Sequence, residues 1–220
     1  MTGTHAIDMS DPWIYTILIS GQLGSGKSTL QDALFTELSR RLPNTILVIK
    51  CNFADELKRE CAKRAGVDPK VFYTEEGKLA YYEKVQMTGR ELLQTVGEEA
   101  RERDPCHWIK RAKQSIADAA GTRCVVAVVG DCRHPNEVDM MRPGVAVRLT
   151  GDPGGVRARS TADMTHISET AMNDFEHFDL HINTDVTTPE MAVLLVLAWL
   201  DTYQQKRLGK LLDDIQPPVD

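Results

Sequence analysis

The chain has 220 residues, a formal net charge of −6, 42% hydrophobic and 26% charged residues. That length gives one sizeable core with or without a flexible lid, and the acidic balance argues against a surface that coats nucleic acid. The most apolar late run, Met191–Leu200, is far too short to span a bilayer, and five cysteines, an odd number, read as reduced thiols of a cytosolic protein.

Residues 1–13 are polar and acidic, unlike a signal peptide, and read as a loose tail. Tyr15–Ser20 is an apolar, strand-like run. It is followed by Gly21-Gln22-Leu23-Gly24-Ser25-Gly26-Lys27-Ser28-Thr29, and then by Leu30, Ala33, Leu34, Leu38 and Leu42 at roughly helical spacing to about Arg41. Strand, glycine-rich turn, lysine, hydroxyl and helix, in that order, is a P-loop. Glycines at 21, 24 and 26 let backbone N–H groups close on phosphate oxygens, and the helix start offers further N–H groups and a positive dipole end. Gly21, Leu23, Gly24, Ser25, Gly26, Lys27, Ser28 and Thr29 are therefore the expected ATP site. Lys27 would reach the β- and γ-phosphates and Ser28 would ligate Mg²⁺.

Thr45–Lys50 is a second apolar strand, and Asn52–Ala65 a helix with Phe53, Leu57, Cys61 and Ala65 four apart on one face. Residues 67–120 show no convincing strand, and Tyr81–Met87, Glu91–Arg101 and His107–Ala119 all read as helix. Arg123–Asp131 is the most strand-like run of the chain. A short helix follows Pro135, Gly144–Thr150 is the fourth strand, and residues 151–170 are polar with no core pattern. Phe178–Asn183 is the fifth strand and Pro189–Arg207 a final helix. The expected class is α/β: a five-stranded parallel sheet with helices on both faces. It forms a single domain over residues 14–207, with a helical insertion at about 52–120, a lid at about 151–170 and a tail at 208–220.

Ligands of such sheets bind at the carboxyl ends of the strands, which selects the polar residues there. Asp131, after the Val125–Val129 run, suits the Mg²⁺ coordination sphere opposite Ser28, usually through water; a carboxylate capping a helix is the plainer alternative. Arg133, two residues on, faces the same way on an extended segment. Arg157 and Arg159, beside Gly154 and Gly155, look like lid arginines aimed at a transferring phosphoryl group. Arg90 and Gln94, a turn apart near a helix start, suit an acceptor's phosphate, or else form a solvated helix face. Cys106-His107 and Cys132-Arg133-His134 lack zinc-site spacing. The histidines offer no obvious general base. A phosphate acceptor needs none, because it is already an anionic nucleophile near neutral pH.

Several runs together resemble the bacteriophage deoxynucleoside monophosphate kinases: Asn52–Lys58, Gly89–Gly97, Arg101–Pro105 with Trp108, Asp131–Glu137, His166–Glu169, and Phe178-Asp179 with Asn183. The likeness spans about residues 15–200 and lies in the order of the motifs, since none beyond the P-loop is specific. The resemblance implies a P-loop kinase fold, ATP as donor, Mg²⁺, and transfer of the γ-phosphoryl group to a deoxynucleoside 5′-monophosphate. It would place Asn52, Phe53, Ala54, Lys58, Arg90, Gln94 and Arg133 at the acceptor, with Lys27, Arg133, Arg157 and Arg159 as catalytic cations. Trp108 would pack near the base, or else in the core. The role of His166–Glu169 stays open, as do the base, the sugar and a homodimer. Neither nucleic acid nor membrane is an expected partner, and the location is cytoplasmic, in the host cell if the chain is phage-encoded. Animal phosphomevalonate kinases share a similar outline, including an Asp-x-Arg after the corresponding strand, and are the alternative enzyme. A nucleotide-sensing P-loop module is the non-catalytic alternative, against which stands the lack of an Asn-Lys-x-Asp run.

Overall fold

The computed structural model describes residues 14–159 and 170–213, with the side chains of 158–159 and 203–213 left aside. Five parallel strands form the sheet: β1 (Ile14–Ser20), β2 (Ile46–Cys51), β5 (Cys124–Cys132), β6 (Gly144–Thr150) and β7 (Leu180–Asn183). Their spatial order is β2-β5-β1-β6-β7. The first strand is thus central, with Ile17 opposite Val128 on one side and Val145 on the other. Helices follow β1, β2 and β5 in the chain and cover both faces of the sheet, whose residues are apolar on both.

On one face α1 (Lys27–Arg41) and α8 (Pro189–Asp213) pack Leu30, Leu34, Leu38, Val193 and Val196 against Ile17, Ile19 and Val147. On the other, α5 (His107–Ala120) and α6 (Pro135–Met140) bring Ile109, Ile116 and Val138 onto Leu18, Val125 and Val129. A third core lies within the insertion, where α2 (Phe53–Ala65), a 3₁₀ turn at Pro69–Tyr73 and α4 (Gly89–Arg103) enclose Cys61, Phe72, Val96 and Trp108. Among the described residues no helix is long and apolar enough to cross a membrane.

The insertion differs from the sequence expectation. Tyr81–Met87 is not a helix. After the short helix α3 (Glu75–Leu79), β3 (Tyr81–Tyr82) pairs antiparallel with β4 (Met87–Thr88), and Gln86 turns the chain at φ 53°. Tertiary contacts override the local pattern: the Tyr82 ring sits 5.5 Å from that of Phe72, and its hydroxyl donates to the Gly77 carbonyl at 2.8 Å. At the far end of the chain the fifth strand begins at Leu180 rather than Phe178, and the last helix continues to Asp213.

Candidate active site

The phosphate-binding turn leaves β1 at Ser20, in the middle of the sheet. Gly24 and Gly26 hold φ near +80°, which L side chains rarely adopt, and a β-carbon at Gly24 would collide with the Asp152 carboxylate. Helix α1 starts at Lys27 with Gly26 as N-cap, so no side chain caps its first N–H groups and no acid occupies its first turn. Those donors, with the dipole end behind them, suit an anion. Ser25 is buried at 1% exposure, and among the described residues its hydroxyl has no hydrogen-bond partner, a polar atom left over beneath the cradle. Lys27 curls over the turn and donates from Nζ to the carbonyls of Gly21 at 2.6 Å and Gln22 at 2.8 Å. Ser28 and Thr29 stand exposed at the helix start, and Leu23 is half-buried in the turn. Beside them opens a cavity of about 420 Å³ walled by Gly26, Thr29, Leu149, Pro153, Val186 and Pro189.

Asp152, two residues after β6, ties the following segment to this turn. The Asp152 carboxylate accepts the N–H groups of Val156 at 2.8 Å and Arg157 at 2.9 Å, which starts the short helix α7 (Val156–Arg159). Arg157 donates from Nη1 to Gln22 Oε1 at 2.8 Å and from Nη2 to the Gly151 carbonyl. One expected lid arginine is therefore already against the phosphate-binding turn. The side chain of Arg159, the rest of the expected lid from 160, and His166–Glu169 lie outside the described residues.

On the other side of the cradle the acid near the end of β5, Asp131, does something plainer than metal binding. The two Asp131 oxygens accept the N–H groups of Phe53 at 2.8 Å and Ala54 at 2.9 Å, so this carboxylate holds the N-terminus of α2. Burial raises its pKa, the amide hydrogen bonds and Arg133 working against that rise. Direct ligation of Mg²⁺ by Asp131 would compete with those amides; contact through water would not. Asn52 is likewise occupied: its Oδ1 accepts from Gln31 Nε2 at 3.3 Å and the Gly130 N–H at 3.2 Å. Phe53 is a core side chain at 4% exposure, and so is Trp108, whose indole donates to the Gly97 carbonyl at 3.3 Å. Both rings pack into the core, for Trp108 the plainer of the two readings.

Lys58 stands one turn into α2, 3.7 Å from Asp55 and with its ammonium 3.8 Å from the centre of the Tyr73 ring. Burial lowers its pKa, while Asp55 and Asp131 pull it up. Tyr73 donates to Asp55 Oδ1 at 2.8 Å. Arg90 pairs with Glu75 at 2.8 Å on the exposed side of the insertion, and Gln94 is exposed; among the described residues neither bonds to the group around Asp131.

Sequence reasoning counted Glu137 and Arg101 within motif runs but gave neither a role. Glu137 is 3% exposed, and its Oε2 accepts the N–H groups of Arg133 at 2.6 Å and His134 at 2.9 Å. Burial pushes its pKa up to about 7, with the Asp131 charge adding to the rise. Arg101, in the last turn of α4, is half-buried; desolvation lowers its pKa while Glu137 and Asp131 pull it up. A carboxylate six residues after an acid-ended strand, and an arginine facing it from another helix, leave no spacing signal in sequence. Gln31 was missed; it donates to the Cys51 and Val128 carbonyls and so locks α1 to the ends of β2 and β5.

A P-loop on the first and central strand of a β2-β5-β1-β6-β7 parallel sheet, with helices on both faces, defines a P-loop α/β fold. No model of a known protein family matches the chain, and no curated protein matches it. Among solved structures it is similar to a shikimate kinase from Aquifex aeolicus, at 17% identity and a TM-score of 0.43 over 86% of this chain and 98% of that one. It is also similar to a gluconokinase from Sinorhizobium meliloti, at 16% identity and a TM-score of 0.46 over 90% of this chain and 98% of that one. An APS kinase from Mycobacterium tuberculosis, solved with AMPPNP and APS, gives 16% identity and a TM-score of 0.38 over 86% of this chain and 99% of that one.

Proposed function

We propose that the chain transfers the γ-phosphoryl group of Mg²⁺-ATP to the phosphate of a small acceptor, a deoxynucleoside 5′-monophosphate first among them. The observation that carries this reading is the balance of charge beyond the cradle. Lys58, Arg101 and Arg133 act electrostatically on Asp131, while the carboxylates around them are engaged: Asp131 and Glu137 Oε2 accept backbone N–H groups, and Asp55 accepts the Asn52 N–H and the Tyr73 hydroxyl. Cations without a free carboxylate base suit an acceptor that is itself an anion, since such an acceptor carries no proton to remove.

The cradle fits ATP. The open first-turn N–H groups of α1 and Lys27 would take its phosphates, the unpartnered Ser25 hydroxyl lies at hand, and the cavity beside Thr29 would take the base. Ser28 would ligate the metal, with Asp131 reaching it through water. Bound Mg²⁺-ATP supplies the phosphoryl group and a charge that offsets those of the phosphates. The chain supplies the rest. Lys27 exchanges the Gly21 and Gln22 carbonyls for phosphate oxygens. Arg157, held against Gln22, neutralises the charge on the phosphoryl in transit. Lys58 and Arg133 draw the acceptor phosphate into line, which lowers the entropic part of the barrier. The preference for a deoxynucleotide rests on the ordered motif runs from Asn52 to Asn183. Phosphorus NMR of ATP mixed with a dNMP and enzyme tests the reading: a growing dNDP β-phosphate signal is expected. ADP appearing with no phosphorylated dNMP, or phosphorylation of a nucleoside hydroxyl instead, would overturn it.

A further inference from the structure

Arg101 is a half-buried guanidinium without a hydrogen bond or an ion pair among the described residues. Two features keep it where it is. It sits in the last turn of α4 and folds back over Gly97, so that a β-carbon at Gly97 would stand 3.3 Å from Arg101 Nη1 and 3.4 Å from Leu57 Cδ2. The missing side chain at 97 makes room for the guanidinium between α4 and α2. Its electrostatic surroundings are Glu137, Asp131, Glu98 and Arg133, at the carboxyl end of β5. A desolvated arginine with five N–H donors and no acceptor is an unfinished hydrogen-bond arrangement, since buried donors are nearly always paired. Neighbouring carboxylates do not finish it: both Asp131 oxygens and Glu137 Oε2 accept backbone N–H groups, and among the described residues neither carboxylate pairs with Arg101.

We infer that Arg101 receives the phosphate of the acceptor, as a planar two-pronged donor reaching it from α4 while Arg133 approaches from the end of β5. The inference rests on the phosphate-acceptor reading above and adds to it a residue and a geometry. A guanidinium gripping two phosphate oxygens fixes the orientation of the acceptor as well as its charge.

The test uses the full chain and a thermal shift, with a dNMP and the matching deoxynucleoside as probes, because a ligand that binds the native state raises its melting temperature. In the wild type the dNMP is expected to raise the melting temperature and the nucleoside to have little effect. Arg101→Gln is expected to bind the dNMP at least about tenfold more weakly, the loss of one charge-assisted contact, with the ATP-induced shift as in the wild type. Arg101→Lys, which keeps the charge and loses the fork, is expected to fall between them and carries the test should Arg101→Gln fail to fold. A residue acting only by steadying Glu137 would change the pH dependence of stability and leave the gap between dNMP and nucleoside intact. Equal dNMP shifts in wild type and both variants would overturn the assignment of Arg101 while leaving the kinase reading standing. A wild type unmoved by every dNMP would overturn both.

Discussion

Glu137 gives the sharpest physical prediction. Its carboxyl is buried at 3% exposure, and its pKa rises from 4.5 to about 7. Arg101 opposes that rise and Asp131 adds to it. A folded-state pKa above the unfolded one means that the group favours folding fully at low pH and loses that contribution as pH climbs through the folded value. Here the loss falls between about 4.5 and about 7. Each pH unit of such a difference is worth about 1.4 kcal/mol, so between about pH 5 and about pH 8 the buried carboxyl costs the folded state about 2 to 3 kcal/mol. Glu137→Gln retains a carbonyl oxygen for the N–H groups of Arg133 and His134, now 2.6 and 2.9 Å from Oε2, and removes the titration. Denaturant unfolding of both proteins at the two pH values, compared as a difference of differences, cancels every other titrating group to first order. The variant is expected to gain on the wild type by about 2 to 3 kcal/mol at the higher pH. Parallel pH profiles would refute the reasoning.

Other perturbations separate site from scaffold. Lys27→Ala should fold and lose on the order of a hundredfold or more in turnover, since one preorganised charge at a developing anion is worth that much; circular dichroism and a steady-state assay check the two halves. Gly24→Ala combines a φ of +80° with a collision against Asp152, and is expected to cost about 1 to 3 kcal/mol of stability and to abolish ATP binding, read by calorimetry. Trp108→Ala should cost about 3 to 5 kcal/mol in melting experiments, as a core truncation does. Trp108→Phe should leave the acceptor KM as it is; a large rise in KM would restore the ring to the site. Asp131→Asn separates the two roles of that carboxylate. A loss confined to stability fits its grip on the α2 N-terminus, whereas an altered Mg²⁺ dependence of turnover would place it in the metal's sphere.

The parts of the fold that were legible are those where local pattern and final packing agree. The Phe53, Leu57, Cys61 and Ala65 stripe does face a core, and the apolar runs from Val125 to Val129 and Val145 to Val147 are covered on both sides. The phosphate-binding turn was legible because it needs glycines in fixed places. The hairpin at Tyr81–Thr88 was not: its strands are two residues each, its turn uses Gln86 rather than a glycine, and its reason is contact with Phe72. Trp108 falls on one stripe with Ala112, Ile116 and Ala120, a signal of burial that the motif resemblance outweighed. Asp131 shows a different limit. Sequence places an acid at the end of a central strand but does not say which donors arrive there, and the α2 N–H groups, 77 and 78 residues away in the chain, arrive in the fold. Glu137 matters because it is buried and Arg101 because it is half-buried, and burial of a charge is decided by tertiary neighbours.

The central claim is that an anionic acceptor takes the γ-phosphoryl group. ADP release from Mg²⁺-ATP against a panel of dNMPs, NMPs and phosphomevalonate measures it most directly. Acceptor-dependent release with one or more dNMPs, and none with unphosphorylated nucleosides, is the expected result. Release with phosphomevalonate alone would keep the chemistry and change the acceptor. ATP bound without any acceptor-dependent product would contradict the account.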